Sequence, residues 1–200
     1  MATTLQEKLV NSVKAHKDHC TPYKTLNALI MKFSQVEAGF QACREVFKDF
    51  DRDNSGAIDR KELAEAVGKL DLKVPGEMID AVFDESDLDK NENISFKEFV
   101  VTLSILYLIK PGEMKGKAEN KFEAAVESVI NAFHFFDKNG DGMLEKEEVM
   151  SAFKGQDSAE NIFSTRFEEM DWDHNGQISF VEFMFAFESW VGLEDEEDEE

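Results

Sequence analysis

The chain has 200 residues, room for one or two domains, and its apolar share of 42% with 18 phenylalanines marks a foldable core rather than a disordered acidic chain. A net charge of −21 argues against nucleic acid as a partner, because phosphates would be repelled. Two cysteines, Cys20 and Cys43, are too few for a disulfide framework and point to a reducing compartment.

Residues 1–33 form a basic N-terminal extension with a net charge of +3, leaving −24 on the remainder. They show no apolar signal-peptide core, and the Met-Ala start does not support myristoylation. Leu5, Leu9 and Val13 recur at helical spacing, and after a break at Thr21-Pro22 a second stripe of Leu26, Leu29, Ile30 and Phe33 follows, with Thr25 as its cap. Three readings stand for this segment: a pseudo-target docking on the chain's own acidic part, a structural helix packed on the first half, or a membrane-surface contact. His16, His19 and Cys20 form an H-x-x-H-C cluster; without a fourth ligand in view, solvated polar residues are the better reading than zinc.

Ser34-Gln35-Val36-Glu37 reads as a capping box opening a helix whose Phe40, Cys43, Phe47 and Phe50 face the core. The stretch 51–62 then sets out oxygen donors at fixed offsets: Asp51, Asp53, Ser55, the Ala57 carbonyl, Asp59 and Glu62. Hard cations take six to eight oxygens at such positions 1, 3, 5, 7, 9 and 12, with a glycine at position 6, here Gly56, for the sharp turn. Leu63, Val67 and Leu70 line the exit helix, and Val74-Pro75-Gly76 breaks it.

Met78, Val82 and Phe83 lead to a second copy with Asp87, Asp89, Asn91, Asn93, Ser95 and Glu98, in which Glu92 replaces the glycine. A non-glycine residue at positive φ is strained, so this loop is expected to bind most weakly. Its exit helix runs through Phe96–Ile109 and is apolar all round. Such a helix must be buried on several sides, either by residues 26–33 or by a target; Val100–Ile109 is too short to span a bilayer. Pro111, Gly112 and Gly116 mark a linker.

A helix from near Asn120, with Phe122, Val126, Val129, Ile130, Phe133 and Phe136, enters a third copy: Asp137, Asn139, Asp141, Met143, Glu145 and Glu148. Val149, Met150 and Phe153 follow, to near Gly155. Ser158 as a cap, then Ile162, Phe163, Phe167 and Met170, lead to a fourth copy: Asp171, Asp173, Asn175, Gln177, Ser179 and Glu182. Phe180, Phe183, Met184, Phe187, Trp190 and Val191 form the last stripe, which Gly192 closes. The acidic tail 193–200 reads as solvated.

With these four loops and their flanking phenylalanines the chain, over roughly residues 34–192, resembles the calmodulin-like EF-hand proteins, above all the longer plant-type sensors. Two departures are Glu92 and the uneven loop starts at 51, 87, 137 and 171, which leave a long interval between the halves. The resemblance implies an all-α fold of four helix–loop–helix hands paired into two lobes, with Ile58 opposite Ile94 and Leu144 opposite Ile178 in short strand pairs, plus the N-terminal helical extension. Expected domains are 1–33, an N-lobe 34–110, a linker 111–118, a C-lobe 119–192 and the tail 193–200. It implies up to four Ca²⁺, with Mg²⁺ possible at rest. The expected role is a sensor whose position-12 glutamates pull on the ion and open an apolar groove, with Met150, Met170 and Met184 as groove candidates, for amphipathic helices of target proteins. The alternatives are a Ca²⁺ buffer or a calcineurin-B-like permanent subunit of one enzyme. No nucleophile–base pair or phosphate-cradling loop is present, so no enzyme is expected. A monomer in the cytoplasm and/or nucleus, with no nucleic-acid partner and little membrane contact, completes the expectation.

Overall fold

The computed structural model describes residues 4–16, 23–69, 74–110, 119–152 and 167–192. The linker 111–118, the tail from 193, Leu70, Phe153, Gly155, Ser158, Ile162, Phe163, His19 and Cys20 lie outside them. The helices are α1 (Leu5–His16), α2 (Leu26–Ile30), α3 (Phe33–Gln41), α4 (Arg44–Phe50), α5 (Arg60–Lys69), α6 (Gly76–Ser86), α7 (Phe96–Ile109), α8 (Glu119–Phe136), α9 (Lys146–Ala152) and α10 (Phe180–Trp190), with strands β1 (Leu144–Glu145) and β2 (Gln177–Ile178). None of the described helices is long and apolar enough to cross a membrane.

The hands pair as their position-8 residues dictate. Ile58 and Ile94 exchange backbone hydrogen bonds of 2.9 Å each way, and β1 pairs antiparallel with β2 in the register Leu144–Ile178 and Glu145–Gln177. Under these pairs the phenylalanines meet edge to face, the favoured geometry of their quadrupoles: Phe47 and Phe50 on Phe99, and Phe133 on Phe180 and Phe183.

The first entering helix departs from its sequence pattern. No capping box forms at Ser34–Glu37; α3 starts at Phe33, and Lys32 sits at its N-cap in the α region with no side-chain cap. The reason is the turn after α2: the Lys32 carbonyl already accepts Gln35 and Val36 N–H, so the chain enters α3 from a helical turn instead of an extended residue. The helix is also interrupted at Ala42-Cys43, where Cys43 N–H bonds back to Phe40. Phe40 and Phe47 therefore serve different partners. Phe40 packs on Phe122 of α8, whereas Phe47 packs on Phe96 and Phe99 of α7. Cys43 is buried at this junction, and burial, with the charge of Glu188 adding to it, pushes its thiol up to about 12.

Helix α3 lies close along α8, so the first hand reaches across to the third. Helix α7 is buried on every side, including Val101, Ile105 and Leu108, which a one-sided amphipathic helix would expose. Its cover comes from α1, α4, α6 and α10, with α1 contributing Leu5, Leu9 and Val13, so the cover expected from residues 26–33 or a target is supplied largely by these helices of the chain itself. The hydroxyls of Thr102 and Ser104 are satisfied within α7 by the carbonyls of Glu98 and Val100, each at 2.8 Å, which lets two polar side chains stay buried. Thr25 caps α2 as its position predicts, accepting from Ala28 N–H.

Candidate metal centre

Each loop is folded by the side chains that would hold an ion. The position-1 aspartate accepts backbone N–H groups from the turn: Asp51 from Ser55 and Gly56, Asp87 from Asn91 and Glu92, and Asp171 from Asn175 and Gly176, all between 3.0 and 3.1 Å. Position 3 adds a second acceptor for the same turn, with Asp53, Asp89 and Asp173 each 3.0 Å from the position-5 N–H. Such turns demand left-handed backbone at two places, not one. Position 6 holds Gly56, Gly142 and Gly176 at φ between 80° and 86°, and position 4 holds Asn54, Lys90, Gly140 and His174 at φ between 55° and 75°. Sequence reasoning flagged only position 6; the asparagine and glycine at position 4 of the first and third loops were the available signal.

Glu92 takes φ 64° and still donates its N–H to Asp87 at 3.1 Å, so the second loop closes like the others at the cost of strain. That strain is about 1–2 kcal/mol, and glycine's extra chain entropy costs about 0.5–1 kcal/mol. Glu92→Gly is therefore expected to stabilise the protein by about 0.5–1 kcal/mol in urea unfolding and to tighten the second loop.

The position-12 glutamate closes every loop in the same way. One oxygen accepts the N–H of position 2 and the other that of position 9: Glu62 from Arg52 and Asp59, Glu98 from Leu88 and Ser95, Glu148 from Lys138 and Glu145, and Glu182 from Trp172 and Ser179, at 2.8–3.1 Å. In the second and fourth hands the same glutamate completes a capping box with Ser95 or Ser179 at the start of α7 or α10. In the first hand, Asp59 and Glu62 exchange the equivalent bonds at the start of α5.

The donor set suits a hard dication. Among the described residues, carboxylate oxygens converge within 4.8 Å in three trios: Asp51, Asp53 and Glu62; Asp87, Asp89 and Glu98; and Asp171, Asp173 and Glu182. The third loop has Asn139 at position 3, where the others have aspartate, and forms no such trio of acids. Glu98 and Glu182 are only 2% and 4% exposed. Burial pushes both carboxyls up, the charges of Asp89 and Asp173 add to that, and the backbone and hydroxyl hydrogen bonds of Ser95 and Ser179 pull the other way. In the second and fourth loops two of the three carboxylates are buried, an arrangement that a divalent cation neutralises and a lone proton does not. His16 stands outside these centres; its Nδ1 lies 2.8 Å from the Ser12 carbonyl in its own helix.

Paired helix–loop–helix units with oxygen-lined loops define an EF-hand protein. A family model for the EF-hand domain pair matches residues 40–101 and 126–188, and the chain belongs to this family. It is 35% identical to the probable calcium-binding protein CML21 of Arabidopsis thaliana, over 98% of this chain and 87% of that one, and 33% identical to the probable calcium-binding protein CML22 of the same plant, over 98% and 90%. Similarity extends to calcium-dependent protein kinase 4 of Plasmodium falciparum, at 29% identity over 70% of this chain but only 26% of the kinase. The protein is thus a calcium-binding EF-hand protein of calmodulin-like type.

Proposed function

We propose that the protein is a Ca²⁺ sensor, binding up to four ions through positions 1, 3, 5, 7, 9 and 12 of its loops, with Mg²⁺ as a resting competitor. The observation that carries this reading is the double duty of the position-12 glutamates. Glu98 and Glu182 hold the loop backbone with the same carboxylate that starts the exit helix, so drawing either one onto an ion moves the first turn of α7 or α10 with it. The space to be opened is visible in the second pair. Phe136, Val149, Phe167, Met170 and Trp190 enclose an apolar pocket of about 10 Å³, barely room for one water. Rotation of α9 and α10 away from α8 would widen it into a groove for an amphipathic helix of a target protein. Each pair, 34–110 and 119–192, is the opening unit, and the protein works as a monomer in the cytoplasm or nucleus.

The apolar helix α7, the feature that would favour a permanent enzyme partner, is covered within the chain by α1 and α10. The test is a Ca²⁺ titration at millimolar Mg²⁺ followed by fluorescence of an apolar dye such as ANS. A rise at about 10⁻⁷–10⁻⁵ M free Ca²⁺ is expected. Ca²⁺ binding without a rise would replace the sensor reading by that of a buffer.

A further inference from the structure

Helix α1 runs against both hand pairs and is tied to each by a long-range hydrogen bond. Ser12 Oγ donates to the Leu108 carbonyl at the end of α7, at 2.7 Å. On the other side, His134 Nε2 lies 3.0 Å from the Val13 carbonyl; a carbonyl only accepts, so Nε2–H donates. His134 is buried in α8, and its Nδ1 faces Asp137 Oδ2, at position 1 of the third loop, at 3.8 Å. A second contact reaches the same loop. A Cβ placed on Gly142 would meet Val10 Cγ1 at 3.1 Å and Lys14 Cε at 3.2 Å, whereas the equivalent Gly56 and Gly176 have nothing within 4 Å. The loop under α1 is also bonded differently. Asp137 Oδ1 accepts the N–H of Gly140 at position 4, at 2.7 Å, where the other three loops use position 5.

We infer that docked α1 lowers the calcium affinity of the third loop, with Lys14 as the opposing charge and His134 as the positioning residue that joins the helix to the loop. The inference rests on the reading of Asp137–Glu148 as a calcium site. Its physics is direct. The Lys14 side chain packs on Gly142 through Cε, and its ammonium, one bond further on, brings a positive charge to the turn of a loop that would hold a dication; like charges repel, and in a partly buried setting more strongly than in water. Val10 and Lys14 also block movement of the position-6 turn. Linkage makes the effect mutual: calcium in the third loop loosens α1 by the factor by which α1 weakens calcium.

The loop glycines supply the measurement. The N–H of Gly56, Gly142 and Gly176 each bond to the position-1 aspartate of their own loop, at 3.0, 3.2 and 3.0 Å, so each amide resonance reports one loop. Full-length ¹⁵N-labelled protein is titrated with Ca²⁺ alone as wild type and as Lys14→Gln, His134→Phe and His134→Gln. Lys14→Gln removes the charge. His134→Phe keeps a ring in the core without the bond to Val13, and His134→Gln keeps a side-chain donor. Lys14→Gln and His134→Phe are expected to lower the Gly142 midpoint by about 3–10-fold, to leave those of Gly56 and Gly176 within twofold, and His134→Gln to stay close to wild type. In the wild type, filling the third loop speeds hydrogen exchange of the α1 amides. An unmoved Gly142 midpoint in Lys14→Gln, or equal shifts at all three glycines, overturns the inference. A Gly142 amide that ignores Ca²⁺ in the wild type while Gly176 responds removes the third loop as a site, which is a separate and recognisable failure.

Discussion

Glu182→Gln is expected to weaken calcium binding at the fourth loop by at least ~10–100-fold, the range that loss of a mere outer partner costs a metal site. The side chain is 4% exposed, with one oxygen on the N–H groups of Trp172 and Asp173 and the other on that of Ser179. Glutamine is compatible with a capping box, so α10 can still start at Ser179. What it removes is a charge and one of two oxygens that bind bidentately. Its amide NH₂ must also face a backbone donor on one side, which costs about 1–3 kcal/mol locally. Trp172 offers a local readout, since its backbone bonds to Glu182 and its ring packs edge-on against Phe185 at 5.5 Å. The chain has 2 tryptophans, so in a Trp190→Phe background the emission belongs to Trp172 alone. The Ca²⁺ midpoint of that emission should move by at least a decade in Glu182→Gln and hardly at all in Glu62→Gln. Equal midpoints in the two variants would detach Glu182 from the ion.

The loops were legible in the sequence because chemistry fixes them by position. Asp51, Asp87, Asp137 and Asp171 each start a count that ends on a glutamate at position 12, and the strand partners Ile58–Ile94 and Leu144–Ile178 follow from the same count. Helix faces were legible for a different reason: Phe133 and Phe136, or Phe180, Phe183 and Phe187, repeat at the period of a helix and are all buried. Periodicity tells which face is covered and is silent about the cover. Phe40, Cys43, Phe47 and Phe50 make one stripe on paper, yet the break at Ala42-Cys43 sends Phe40 to α8 and Phe47 to α7. Leu5, Leu9 and Val13 likewise announce a helix with one buried face, but nothing in their spacing names α7 and α10 as partners. The left-handed Lys90 was invisible because lysine rarely adopts that backbone, and His174, of a type enriched there, is too weak a signal by itself; the loop imposes the conformation through the hydrogen bonds to Asp87 and Asp171.

The contact between α3 and α8 gives the second large effect. Gly39 lies within α3, where alanine would ordinarily stabilise a helix by about 0.5–1 kcal/mol. Here the sign reverses. A Cβ on Gly39 would lie 2.5 Å from the Ala125 Cβ and 2.6 Å from the Lys121 carbonyl oxygen, against the ~3.5–4 Å of good packing. One obstacle is a side chain with no rotamer and the other is helix backbone, so neither can swing away and α3 must move off α8. Overpacking of this kind costs about 1–3 kcal/mol, and urea unfolding of Gly39→Ala should show a loss in that range. Gly68, inside α5 with nothing within 4 Å, is the control: Gly68→Ala should gain about 0.5–1 kcal/mol. Adding Ala125→Gly to Gly39→Ala relieves only the side-chain clash and leaves the one with the Lys121 carbonyl, so rescue should be partial. A Gly39→Ala protein as stable as Gly68→Ala would mean that α3 does not lie against α8 in solution. The same substitution probes the link between hand pairs, because α3 precedes the first loop and α8 ends at Phe136, next to Asp137 of the third. Forcing α3 away from α8 loosens the packing of Phe40 on Phe122, a contact through which the two pairs share one core. Gly39→Ala should therefore also broaden the urea transition, as the two pairs begin to unfold separately.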